Sequence, residues 1–304
     1  MLLLPDGDAC AYFALMPGER YCCQYFMKTL RPTWRYACKV ASVRCSPMIK
    51  RTFSLPVIFL LFTVAASAQD PLKVAPQAYK LEFENEWVKV MRVHYSPHEK
   101  IPAHDHTERA AAYVYLNDGG PVIFKHIGLA YGAVTRPETK AGSFRLYKAL
   151  KEVHEVEDTS NLPSDFLRVE FKTRMMDEKT LHGRFHRESW PAGENCQKTQ
   201  FEDDQIRITR LVCAPGKRLD VLEGASGPSL LIALSPARLS VIEPKGKASK
   251  LNLGLGQTGW QPAGKLARIE GPGGEPAELL RFEFKTGPVD APDEKPKAHD
   301  HSHE

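Results

Sequence analysis

Beyond residue 68 this chain is poor in net charge, in cysteine and in long helical patterns. Of its 41 Lys/Arg and 37 Asp/Glu, residues 1–68 hold eight and three, which leaves 33 and 34 and a net charge of −1 for residues 69–304. Such a body offers no electrostatic reason for a nucleic acid or an anionic membrane to bind it. Five of the seven cysteines (Cys10, Cys22, Cys23, Cys38 and Cys45) fall in the first 47 residues, and only Cys196 and Cys213 lie in the body. No G-x-G-x-x-G, P-loop, G-x-S-x-G or C-x-x-C is read there. The body therefore gives no basis for phosphoryl transfer, a hydrolase elbow, thiol redox chemistry or nucleotide binding. Convincing long amphipathic helices are absent as well. Short apolar runs separated by turn residues remain, and these are the pattern of strands.

The N-terminal part reads as an address. From Met48, Lys50 and Arg51 form a basic region, Phe53 to Val64 a short apolar core, and Ala66-Ser67-Ala68 an A-x-A cleavage signal. The apolar run is too short to cross about 30 Å of hydrocarbon comfortably. Residues 48–68 are therefore expected to be a signal peptide, with no stable membrane span after cleavage and a periplasmic or secreted body. Residues 1–47 precede that signal, are rich in Cys and Arg and show no clear periodicity. They are expected to be an over-extended start, outside the fold. In an oxidising compartment Cys196 and Cys213 could pair as a disulfide, or stand as two free or buried thiols.

The body repeats itself. Phe83-Glu-Asn-Glu-Trp-Val-Lys-Val-Met-Arg-Val-His-Tyr-Ser-Pro97 matches Phe201-Glu-Asp-Asp-Gln-Ile-Arg-Ile-Thr-Arg-Leu-Val-Cys-Ala-Pro215. Leu167-Arg-Val-Glu-Phe-Lys-Thr173 matches Leu280-Arg-Phe-Glu-Phe-Lys-Thr286. The offset is 118 at the front and 113 at the back, so two copies of one unit lie in tandem. The first is expected over 69–174 and the second over 199–287, with a linker at 175–198 and a His-rich, disordered tail at 288–304. Strands are expected at 87–95, 111–116, 121–125, 143–148 and 166–172, and in the same places of the second copy at 205–213, 229–234, 238–242, 250–253 and 278–285. Asn117-Asp-Gly-Gly120 is a strong hairpin turn. The fold class is all-β, a small barrel or sandwich in each copy.

Three histidines stand out. His104 and His106 lie two apart in an extended stretch, so both imidazoles project to one face and could grip one ion. His154, in Val153-His-Glu-Val-Glu-Asp158, precedes another strand-like run. Tyr113 and Tyr115 share a strand face and, with His126, are candidates to line a pocket, although aromatic residues also favour strands for packing alone.

His104-Asp-His106 followed by His154 resembles the paired motifs of the cupin superfamily. The resemblance implies two tandem double-stranded β-helix (jelly-roll) barrels, a bicupin. It implies His104, His106 and His154 as ligands of a divalent transition metal, with Fe, Mn, Zn or Ni all open. The family's first motif carries a Glu that would fall on Ala110 or Ala111 here, so a three-His site, Glu108 as a substitute, and a metal-free pocket all stay open. In the second copy, Leu222, Gly224 and Ala267 align with the three histidines, which marks that copy as degenerate. The expected partner is a small molecule, as substrate of an oxygenase or isomerase or as ligand of a non-catalytic small-molecule or sugar-binding protein. An envelope structural or interaction protein is a third reading, and the oligomeric state is open.

Overall fold

The computed structural model describes residues 69–148, 150–173, 183–221, 227–271 and 273–289. The expected over-extended start and signal peptide (residues 1–68), Leu222, Gly224 and the tail beyond 289 lie outside the described residues. One short helix, α1 (Pro71–Val74), is capped by Asp70, whose Oδ1 accepts from the Leu72 N–H at 3.0 Å. All else among the described residues is strand, turn or irregular connection. No helix among the described residues is long and apolar enough to cross a membrane.

The first copy folds as β1 (Tyr79–Glu84), β2 (Val88–Tyr95), β3 (Lys100–His106), β4 (Ala111–Tyr115), β5 (Val122–His126), β6 (Ala133–Arg136), β7 (Phe144–Tyr147), β8 (Glu152–Asp158) and β9 (Ser164–Phe171), followed by β10 (Gly183–Phe185). One sheet runs β1-β2-β9-β4-β7-β10 and the other β3-β8-β5-β6. The second copy contributes β11 (Cys196–Glu202), β12 (Ile206–Cys213), β13 (Arg218–Asp220), β14 (Ser229–Ala233), β15 (Ala237–Ile242), β16 (Ala248–Leu253), β17 (Thr258–Gln261), β18 (Arg268–Glu270) and β19 (Ala277–Phe284). Its sheets run β11-β12-β19-β14-β17 and β13-β18-β15-β16. Raising each strand number by ten converts the first order into the second, β10 excepted. The fold is all-β, two tandem jelly-roll barrels of the double-stranded β-helix kind.

Side-chain detail follows the same repeat. Asn85 Oδ1 accepts from the Trp87 and Val88 N–H groups, and Asp203 Oδ1 accepts from those of Gln205 and Ile206, so one Asx turn opens β2 and β12 alike. Ion pairs recur: Arg92–Asp165 at 2.7 Å matches Arg210–Glu278 at 2.5 Å, and Lys100–Glu157 at 3.4 Å matches Arg218–Glu270 at 2.8 Å. A ladder irregularity falls between Leu81 and Phe83 and again between Thr199 and Phe201.

Both faces of β19 are buried throughout. Ala277 and Leu279 point into the second barrel, while Leu280, Phe282 and Phe284 meet Val88, Val114, Leu167 and Phe171 of the first in one apolar cluster. Phe171 lies 6.1 Å from Phe284, ring centre to ring centre. The two larger sheets thus share a core, which is why β9 and β19 are buried on both faces along nearly their whole length although each also carries charged residues. Burying each such Leu or Phe contributes roughly 1.5–3 kcal/mol.

Four expectations need correction. The linker is not only a connection, because β10 extends the first barrel's larger sheet and β11 already begins at Cys196. The strand expected at 250–253 belongs to β16, the counterpart of β6, whereas the counterpart of β7 is β17. Cys196 and Cys213 are free thiols. Cys196 pairs with Val212 in the β11–β12 ladder, and cross-strand partners share a face, so Cys213 points the opposite way and no disulfide forms. Finally, Gly254-Leu-Gly-Gln-Thr-Gly259 does have G-x-G-x-x-G spacing, but it forms the turn from β16 into β17 with no helix after it. A dinucleotide fingerprint needs that helix, so the motif supports no such reading.

Candidate metal centre

Register decides the site. In the β3–β8 ladder His104 lies directly opposite His154, and His106 opposite Glu152. In the β5–β8 ladder His126 also lies opposite His154. Directly opposed residues share a face, so His104, His154 and His126 form one row across the smaller sheet, with His106 and Glu152 beside it. The ligating atoms of His104, His106 and His154 all lie within 4.8 Å of one another. All three imidazoles are buried.

Their hydrogen bonding is incomplete. His104 Nδ1 lies 2.8 Å from the Pro102 carbonyl, which can only accept, so the proton sits on Nδ1 and Nε2 carries the lone pair. Tyr79 Oη then donates to His104 Nε2 at 3.0 Å. His106 Nδ1 and both ring nitrogens of His154 are buried with no hydrogen-bond partner. Orphaned polar atoms cost free energy unless something satisfies them. Three converging imidazoles, two with unpartnered nitrogens, match the donor set of Fe, Mn, Zn or Ni. Burial holds all three below the ordinary imidazole pKa, His154 down to about 2, with the neighbouring histidines and Arg168 adding to the effect for His154 and His106. Neutral imidazole is the metal-ligating form.

Glu108 is not part of this cluster. It sits half-buried in the loop after β3, while the strand that fixes the histidines ends at His106. The carboxylate that does approach is Glu152, which sequence reasoning passed over. Its Oε2 is 3.7 Å from His154 Nδ1, and its Oε1 is 3.7 Å from His126 Nε2. Tyr147 Oη donates to that same Oε1 at 2.9 Å. Glu152 stands two residues before His154 on one strand, the spacing that paired His104 with His106, so a signal for it was present in the sequence.

The cluster opens on a cavity of about 100 Å³. Tyr113 and His126 line it, with Tyr79, Tyr95, Tyr147 and Arg168. Tyr113 Oη accepts from the Arg168 guanidinium at 3.0 Å. Tyr115 does not line this cavity; it packs on Phe166 and under Arg136 and faces an adjoining hollow. Tyr79 and Tyr95 Oη atoms lie 2.6 Å apart, and burial raises the pKa of both phenols. Tyr79 escaped notice because β1 carries little apolar alternation, and Tyr95, at the end of the expected strand 87–95, carried no local sign that it faces the site. The second copy places Ala267 where the first has His154, since Val156 and Ile269 occupy the same place in the β3–β8 and β13–β18 ladders.

No family model matches this chain, and no curated protein does. Several solved structures are similar in their path. AerE from Microcystis aeruginosa is 12% identical, over 68% of this chain and 97% of that one, with a TM-score of 0.47. Lactobacillus farciminis oxalate decarboxylase in its formate complex is 14% identical, over 70% and 81%, with a TM-score of 0.48. A cupin 2 conserved barrel domain protein from Leptotrichia buccalis is 14% identical, over 68% and 88%, with a TM-score of 0.42. Likeness of this degree assigns no chemistry to this chain. The reading of its site rests on its own residues.

Proposed function

We propose that this protein is an exported bicupin whose first barrel holds one divalent transition metal on His104, His106 and His154 and acts on a small organic molecule. The observation that carries the proposal is the convergence of three buried neutral imidazoles whose ring nitrogens are in part unpartnered. A metal held there would act as a Lewis acid, polarising a chelating ligand and acidifying its water. Three protein ligands leave positions open, the catalytic rather than the structural arrangement. The chain's own groups do the rest. The Pro102 carbonyl sets the His104 tautomer. Glu152, hydrogen-bonded by Tyr147 beside His126, is positioned to accept or return a proton at its Oε1. An oxygenase or isomerase activity fits this set.

A non-catalytic binding module is the second reading. It rests on Tyr79 Oη, which already satisfies His104 Nε2. Elemental analysis separates the two. The protein is prepared without a His tag and with His299, His301 and His303 replaced by Ser, since a His-rich tail can bind metal adventitiously. Near-stoichiometric Fe, Mn, Zn or Ni, lost in a His104→Ala/His154→Ala double variant that still folds, supports the metal centre. No metal in either protein leaves the binding module.

A further inference from the structure

The cavity wall opposite the histidines is cationic. On the inner face of the larger sheet, Arg184, Arg145, Tyr113 and Arg168 stand in one cross-strand row: Arg184 opposes Arg145, Arg145 opposes Tyr113, and Tyr113 opposes Arg168. All three arginines line the cavity, as does Arg136 from β6. Like charges placed directly opposite, as Arg145 and Arg184 are, destabilise a ladder. Arg168 has its counter-charge in Glu170, 2.9 Å away. Among the described residues Arg136 and Arg145 have none within ion-pair distance. The carboxylates whose charge reaches them are Asp158 and Glu152. Asp158 Oδ1 is engaged by Ser160 while its Oδ2 is buried without a hydrogen-bond partner and beyond ion-pair distance of Arg136, and Glu152 is held by Tyr147 at the histidine end.

Both guanidiniums are nevertheless held in place. Arg136, buried, donates to Ser164 Oγ at 2.7 Å and lies over the Tyr115 and Phe166 rings. Arg145 lies over Tyr113 at 4.6 Å and Tyr147 at 5.4 Å. The Nε of each is buried without a partner. An unpaired buried cation is expensive, and the fold does not require these two. At the equivalent ladder positions the second barrel has Leu251 and Gly259 and packs them among apolar neighbours.

We propose that this cavity recognises a small organic carboxylate, seated on Arg136, Arg145 and Arg184, with the remainder of the molecule directed to the histidine cluster. A planar carboxylate matches the guanidinium fork in two-point contact and supplies the missing counter-charge. The wall presents guanidinium forks and phenols but no lysine, the side chain that meets phosphate as a point charge, which favours carboxylate over phosphate. The proposal deepens the reading of this cavity as the ligand site but does not depend on the metal.

The test is calorimetric titration of the purified protein, metal-loaded and chelated, with malonate, succinate and glutarate. Succinamide serves as the neutral analogue and inorganic phosphate as the rival oxyanion. At least one dicarboxylate is expected to bind about tenfold or more tighter than succinamide, and to weaken about tenfold in Arg145→Gln, the scale of one charge-assisted contact. Arg184→Gln, on the exposed edge strand, is expected to weaken binding about threefold, and it keeps the test open if Arg145→Gln does not fold. Metal content should stay at the wild-type level in both variants. Equal binding of succinamide, phosphate binding as tight as any dicarboxylate, or unchanged affinity in both variants overturns the proposal. Arginine-dependent carboxylate binding by a protein that takes up no metal leaves this inference standing while the metal reading fails. Metal without carboxylate binding does the reverse.

Discussion

The two barrels share a strand order but not an interior. In the first, the space between the sheets is lined by histidines, tyrosines and arginines around a cavity. In the second, Leu211, Leu231, Leu239, Val241, Ile269 and Leu279 close on one another in an apolar cluster. Position by position, Tyr113 gives way to Leu231, Arg145 to Gly259, Arg136 to Leu251 and His154 to Ala267. A jelly roll needs its inward positions filled, and hydrophobic side chains do that at lowest free-energy cost. Polar side chains there are paid for by something other than stability. The second barrel keeps Arg281 and Glu283 where the first has Arg168 and Glu170 but fills the other inward positions with apolar side chains, so the difference between the two isolates the histidines, Tyr113, Arg136 and Arg145.

The recurring ion pairs give the sharpest way to break the comparison. Arg210–Glu278 is buried, and Arg210 also donates to the Gly142 carbonyl of the first barrel at 2.5 Å, so it joins the two copies. Its counterpart Arg92–Asp165 is partly exposed. Arg210→Ala should therefore destabilise the protein by about 2–3 kcal/mol, because the buried Gly142 carbonyl loses its donor and Glu278 keeps only the half-exposed Arg187. Arg92→Ala should lose only about 1 kcal/mol or less. Chemical denaturation measures both, and equal losses would refute the difference in burial.

The next effect concerns pH. His104, His106 and His154 have folded-state pKa values below the unfolded one near 6.5. Between the two values the unfolded chain binds more protons, so unfolding free energy falls as pH falls below about 6.5. The loss continues towards the His154 value of about 2. Metal occupancy should fall in the same direction, since protons compete for the same nitrogens. Denaturant midpoints from pH 7.5 to 5 should slope this way in the wild type. The slope should flatten in His104→Ala/His154→Ala, and an unchanged slope would place the titrating groups elsewhere.

The smallest effect tests what the barrels have in common. Asn85 and Asp203 make the same turn with the same two backbone N–H groups. Replacing either by Ala should lower stability by about 1 kcal/mol, and by nearly the same amount in both. A large disparity would show that the two copies depend on this turn differently.

The sequence by itself carried the all-β class, the duplication and the pairing of His104 with His106. These rest on short-range regularities: apolar alternation, turn residues, and side chains two apart on one face. Matching the copies also assigned Ala267 to the place of His154 before any ladder was known. Tertiary structure decided the rest, because it depends on which strands lie side by side. Only the β3–β8 register sets His154 opposite His104, across about fifty residues of chain. Only that packing replaces Glu108 with Glu152, turns Cys196 and Cys213 to opposite faces, and lines up Arg184, Arg145 and Arg168 from three separate strands. A strand reveals which of its residues share a face, but not what they face. That is set by which distant strands pair, and a one-residue change of register would turn every side chain to the other face.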